Sequence, residues 1–191
     1  TKKDLRIIRG PQWHAIPKDE GFPNEYADLI RTLEQDDQSS AVYICKAPMI
    51  AAAVAVACEA NAISIEEEAR LLGYPVCCVT DHYQRNSTMN KAFWLMLKRV
   101  ANDNPEEIKR LLVDDVGIGP ETEEERTLLQ GATRLEIAPF TSIHMCPNCN
   151  NQRSSPARRL SALYENLVRT IDGTLAAEIE TTQSALQQEA E

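Results

Sequence analysis

The stretch SPARRLSALYENLVRTIDGTLAAEI, residues 155–179, carries the strongest fold signal in the chain. Its apolar side chains recur with the 3.6-residue period of an amphipathic helix: Leu160, Leu163, Leu167, Val168, Ile171, Leu175 and Ile179. Ser155 is a favourable helix-capping residue, and Pro156 suits the first helical position. The pattern therefore predicts a long helix that opens at Ser155 and bends at Gly173.

Further helix signals precede this stretch. Ser64 and Glu67 have the spacing of a capping box, and Gly73 is well placed to end the helix that follows. Asn104 and Pro105 form a second start signal. The remaining periodic segments predict helices over Asn24–Gln35, Pro48–Asn61 and Glu121–Gln130, and over a segment capped by Ser87 or Thr88 that contains Phe93, Leu97 and Val100.

These signals predict an all-α fold with about seven helices and at most a few short strands. We expect one globular domain with a metal-binding loop, since 191 residues can bury a sizeable core. The predicted division is an irregular N-terminal arm over 1–22, a helical metal-binding domain over 23–180 and a frayed C-terminal tail over 181–191.

Composition limits the functional classes. The chain is 43% hydrophobic and 26% charged, which is typical of a globular protein, and its net charge of −9 disfavours nucleic-acid binding. Its most apolar stretch, Ala47–Cys58, is too short to span a bilayer, so we expect no membrane association. No targeting segment is visible, and we expect a cytoplasmic protein whose six cysteines are thiols or metal ligands.

The segment His144-Met-Cys-Pro-Asn-Cys149 is the clearest chemical motif. Two cysteines separated by two residues can direct both sulfurs to one point, as in a zinc knuckle. His144 could supply a third ligand or support the ligands. The segment lies between a predicted extended stretch over 135–140 and a helix start, so we expect it to be a loop.

A second cysteine pair, Cys77 and Cys78, follows the predicted helix end at Gly73. We expect this pair to complete a site with Cys146 and Cys149. Adjacent side chains diverge, so we expect one of the two to bind the metal and the other to be a reactive or supporting thiol. If the chain is helical beyond Pro75, Cys78 and His82 lie on one face.

Three chemistries remain open for this site. Zinc is the leading candidate because it prefers Cys and His ligands. Mononuclear iron or an iron–sulfur cluster is the alternative, and a cluster with an open iron would make the protein an enzyme. Metal-free thiol chemistry is the third, although the βαβ context of a thioredoxin-type dithiol is absent. Cys45 and Cys58 lie in apolar segments and are predicted to be core residues.

A polar run follows the double cysteine. His82 could act as a general acid or base, and Arg85 could bind a carboxylate or phosphate. The arginines around the knuckle offer either an anion pocket or surface charge balance: Arg153, Arg158 and Arg159. The acidic segment Asp103–Glu125 is predicted to be a solvated face.

The combination resembles small helical families with a Gly-Tyr-Pro-x-Cys-Cys motif and a later His/Cys segment, over roughly residues 60–172. The resemblance implies one site that contains Cys77, Cys78, His144, Cys146 and Cys149, but it implies no activity. The leading hypothesis is an enzyme or accessory factor that acts on a small anionic metabolite. The alternative is a zinc-stabilised protein–protein interaction module.

Overall fold

The computed structural model describes residues 6–11, 14–15, 21–24, 26, 29–30, 40–45, 47–60, 62–114, 116–132 and 144–189. Within these residues the fold is mostly helical, as predicted, and eight helices can be bounded. The helices are α1 (Pro48–Ala60), α2 (Ile65–Leu72), α3 (Val76–Val100), α4 (Pro105–Val113), α5 (Glu123–Ala132), α6 (Pro147–Asn151), α7 (Pro156–Ile171) and α8 (Gly173–Glu189). The strands are β1 (Arg6–Pro11), β2 (His14–Ala15), β3 (Ser40–Cys45) and β4 (Ala62–Ile63).

The strands form two small pairs beside α1. β1 and β3 pair antiparallel, with Ile8 opposite Tyr43, while β2 and β4 pair in parallel. A core cluster packs β3 against α1, and its buried residues include Cys45, Val54 and Cys58. The predicted irregular arm therefore contains strand structure. The cysteines of this cluster are core residues, as predicted.

Helix α3 determines the layout of the remaining elements. The predicted helix start at Ser87 or Thr88 is wrong, because α3 runs unbroken from Val76 to Val100. The Thr88 hydroxyl donates to the Gln84 carbonyl oxygen four residues earlier, which is the local bond of a mid-helix threonine and not of a cap. Ser87 is buried.

The second core cluster covers the C-terminal half of α3. Leu97 is fully buried, and it packs with Tyr26 and with Ile108 and Leu111 of α4. Residues 24, 26, 29 and 30 are helical, while the rest of the predicted helix 24–35 lies outside the described residues. The predicted extended stretch over 135–140 also lies outside them.

The C-terminal region contains two helices where the sequence predicted one bent helix. Asp172 has an extended conformation that ends α7, and its carboxylate accepts the backbone N–H groups of Thr174 and Leu175 at the start of α8. Asp172 therefore caps α8, and the helix is interrupted at this residue instead of bending at Gly173. α8 continues to Glu189, through most of the predicted tail. No helix in the described part of the chain is long and apolar enough to cross a bilayer.

Candidate metal centre

Two helix starts supply the cysteines of the candidate metal centre. α2 ends at Gly73, whose left-handed conformation (φ 74°) suits glycine, and Pro75 then forms the N-cap of α3. This short connection places Cys77 and Cys78 in the first turn of α3. The Gly-Tyr-Pro sequence thus determines where the double cysteine lies.

The second helix start lies in the Cys146–Cys149 segment. Cys146 is the N-cap of the one-turn helix α6, Pro147 occupies its first position, and the Asn150 N–H donates to the Cys146 carbonyl at 2.9 Å. The predicted loop is therefore a single helical turn. It places Cys149 three residues beyond Cys146, on the same side of the turn.

The four cysteine sulfurs converge. The Sγ atoms of Cys77, Cys78, Cys146 and Cys149 all lie within 4.8 Å of one another. The Sγ atoms of Cys77 and Cys149 are 3.6 Å apart. Four sulfurs arranged tetrahedrally at about 2.3 Å from one ion are separated by about 3.8 Å. The donor set and spacing therefore fit a single four-coordinate metal ion.

Backbone amides support the sulfurs. The Cys146 N–H donates to the Cys78 sulfur, and the Ala157 N–H in the first turn of α7 donates to the Cys149 sulfur. The centre thus lies at the N-terminal ends of α3 and α7, where the helix dipoles favour negative charge. The backbone hydrogen bonds and the helix dipoles both stabilise thiolates, which are the form of cysteine that binds metal.

The protonation of the four thiols is coupled. Burial, and after it the hydrogen bonds to Cys149 and Cys146, together raise the pKa of Cys77 to about 11. Burial also raises the pKa of Cys78. The pKa of Cys149 is lowered because hydrogen bonds from Cys77 and Cys78 outweigh its burial. The cluster therefore favours one thiolate by itself, and four thiolates need a bound cation to balance their charge.

The burial of the four cysteines is unequal. Cys78, Cys146 and Cys149 are at most 4% exposed, whereas Cys77 is an exposed residue. The premise that adjacent side chains diverge does not hold here, since both Sγ atoms lie within the four-sulfur group. That only one of the two cysteines binds the metal stays a prediction.

His144 is near the centre but is not a member of the four-sulfur group. It lies close enough to His82 to contribute to lowering the pKa of that imidazole. A role for His144 as a ligand stays a prediction.

Arg158, for which the sequence left an anion pocket or surface charge balance open, supports the Cys146–Cys149 turn. The Arg158 guanidinium donates to the Asn150 carbonyl oxygen at 2.6 and 3.1 Å, and to the Asn150 side-chain oxygen at 2.8 Å. Ser155, which is 1% exposed, caps α7 by accepting the Arg158 N–H. Arg153 and Arg159 are exposed. Asn150 is the supporting residue that sequence reasoning missed, because its role depends on a side chain eight positions away.

His82 and Arg85 lie one and two turns beyond the double cysteine. The Arg85 Nε donates to the Asp81 carboxylate at 3.1 Å, and Arg85 is 9% exposed. The pKa of His82 is lowered by burial and then by the charges of Arg85 and His144. The two predicted catalytic residues are therefore close to each other, and their role stays a prediction.

Comparison with known proteins adds no relative. The chain matches no protein-family model, no curated protein and no solved structure. The resemblance through the Gly-Tyr-Pro-x-Cys-Cys motif stays a prediction, and function has to be inferred from the chemistry of the site.

Proposed function

We propose that this chain is a zinc-stabilised helical module in which four cysteine thiolates hold one structural Zn²⁺. The observation that carries the proposal is the convergence of Cys77, Cys78, Cys146 and Cys149 within 4.8 Å. A tetrahedral set of four cysteines is a common closed zinc site. The ion would fasten the start of α3 to the knuckle and to the start of α7.

The sulfur spacing favours one ion over an iron–sulfur cluster. The thiolates of a four-iron cluster bind different irons and stand around an inorganic core, so they must lie farther apart than the ligands of one ion. A Cys77–Cys149 separation of 3.6 Å matches a shared ion instead. Zinc is favoured over mononuclear iron because four cysteines are a common ligand set of structural zinc, and a structural role needs no redox-active metal.

A closed ligand set favours an interaction module over a metalloenzyme. Catalytic zinc sites keep a position open for water or substrate, usually with three protein ligands. Four sulfurs around one ion would fill all four tetrahedral positions here. The metal would contribute to folding energy, and the biochemical role would be exercised by the surface that the metal organises.

Metal analysis and X-ray absorption at the zinc edge test this proposal. We expect one zinc per chain and four sulfur neighbours at about 2.3 Å. An oxygen or nitrogen neighbour at about 2.0–2.2 Å would overturn the closed site and favour the enzyme hypothesis. The visible colour of bound iron in anaerobically purified protein would overturn the choice of metal.

Two buried cysteines provide matched variants. Cys149→Ala removes a proposed ligand, while Cys45→Ala removes an equally buried thiol from the other core, their exposures being 4% and 5%. We expect Cys149→Ala to lose zinc and melt at a lower temperature, because the binding energy of a structural metal is folding energy. Cys45→Ala should retain one zinc. Equal zinc content in both variants would contradict the assignment.

A further inference from the structure

Arg85 is an unusual charged residue in the buried face of α3. It is 9% exposed, and its Nε donates to the Asp81 carboxylate oxygen Oδ2 at 3.1 Å. Lysine, glutamate, arginine and aspartate are rarely so buried unless they are paired. Asp81 balances the charge of Arg85, and this ion pair uses the Nε donor of the guanidinium group.

A second donor of Arg85 differs from Nε in its surroundings. Its Nη2 is enclosed and makes no hydrogen bond with any residue that the structure describes. A buried charged donor without an acceptor loses its hydration and gains nothing in return, so native proteins almost always provide an acceptor. The missing acceptor therefore points to a ligand at this position.

The neighbouring side chains add donors to the same region. The amide nitrogen Nδ2 of Asn86 lies 3.1 Å from Nε2 of His82. An amide nitrogen can only donate, so Nε2 accepts and the ring proton of neutral His82 lies on Nδ1. His82 thus has an N–H of its own. His144 is near enough to His82 to influence it electrostatically.

We propose that Arg85, with His82 and His144 beside it, forms a binding site for a small oxyanion, whose oxygen accepts a hydrogen bond from Nη2. The planar guanidinium group matches the oxygens of phosphates and carboxylates, and hydrogen bonds between charged partners are the strongest of their kind. This site goes beyond the proposed zinc function and does not depend on which metal is bound.

Calorimetric titration of the metal-loaded protein tests the site, with inorganic phosphate and acetate as separate probes. At matched ionic strength, we expect saturable binding of at least one probe, and the stronger probe identifies the oxyanion class. Arg85→Gln should weaken this binding at least tenfold. Arg159→Gln, which removes the same charge from an exposed position, should bind as the wild type does.

Binding that disappears in Arg159→Gln, or persists unchanged in Arg85→Gln, would overturn the proposal. If Arg85→Gln does not fold, the wild-type protein still gives an answer. The Arg85 guanidinium resonances in a ¹⁵N-labelled sample should shift when the bound probe is added. Unchanged resonances at millimolar phosphate and acetate would show that no oxyanion reaches Nη2.

Discussion

Substitution of Glu125 tests the packing of α5 against α3. Glu125 is 1% exposed, and its Oε1 accepts a hydrogen bond from Arg99 Nε at 2.9 Å. Its Oε2 accepts the backbone N–H groups of Glu121 and Thr122 at 2.7 and 3.0 Å. The bond to Arg99 and those to the two amides outweigh burial and lower the pKa of Glu125 from 4.5 to about 2.

The pKa shift gives the magnitude. A shift from 4.5 to about 2 corresponds to about 3 kcal/mol in favour of the charged form. Glu125→Gln keeps the shape and removes the charge, so we expect the free energy of unfolding at pH 7 to fall by about 2–3 kcal/mol. The Arg99 side chain is 24% exposed and also contacts Glu121, so water and that second carboxylate soften the loss.

The sign of the pH dependence follows from the lowered pKa. Above pH 4.5 the carboxylate is charged in both states, and its full stabilisation is present. As the pH falls from 4.5 towards 2, the unfolded state takes up the proton first and the stabilisation is lost. The difference between the wild type and Glu125→Gln should therefore shrink across this range.

Urea denaturation of both proteins measures this difference. Each is prepared with the same metal content, so acid-induced loss of metal affects both and largely cancels. Glu124→Gln is the matched control, because Glu124 is exposed and its substitution should change stability by less than about 0.5 kcal/mol. A loss below about 0.5 kcal/mol for Glu125→Gln, or a difference that stays constant down to pH 2, would refute the reasoning.

Two other sets of variants examine the metal centre and the chain turns. Arg158→Ala removes the hydrogen bonds to the Asn150 carbonyl oxygen, and it should lower the affinity for zinc about tenfold, as measured by competition with a chelator. Arg159→Ala should leave that affinity unchanged. Gly21 and Gly73 both have positive φ, but a Cβ at Gly21 would lie 2.2 Å from a backbone oxygen of α3, whereas one at Gly73 would meet nothing within 4 Å. Thermal melts should show a loss of about 1 kcal/mol for Gly73→Ala and a larger one for Gly21→Ala.

Local signals predicted three of the helix starts and the convergence of the cysteines. The predicted caps Ser64, Asn104 and Ser155 all accept hydrogen bonds from the first turns of their helices. Convergence of the two cysteine pairs was also predictable. A Cys-x-x-Cys pair needs further ligands to complete a tetrahedral metal site, and the double cysteine follows a predicted helix end.

Long-range electrostatics were not predictable. Glu125 belongs to an acidic segment that charge patterning marks as solvated, yet its side chain is among the most buried of the described residues. Its partner Arg99 lies 26 positions earlier, and no local rule connects the two. The continuity of α3 was missed for a related reason, since the polar run from Asp81 to Asn86 has no apolar pattern that marks it as helical.

The polar run of α3 contains one position of a series of buried and half-buried residues that are spaced by seven. Cys78, Arg85 and Ala92 are separated by seven residues, and Arg99 continues the series. Seven residues make nearly two turns, so these positions follow one face of the helix. Two of the four are arginines whose charges are balanced by Asp81 and Glu125. This face of α3 therefore runs from the candidate metal centre to the ion pair that Arg99 makes with the buried Glu125 of α5.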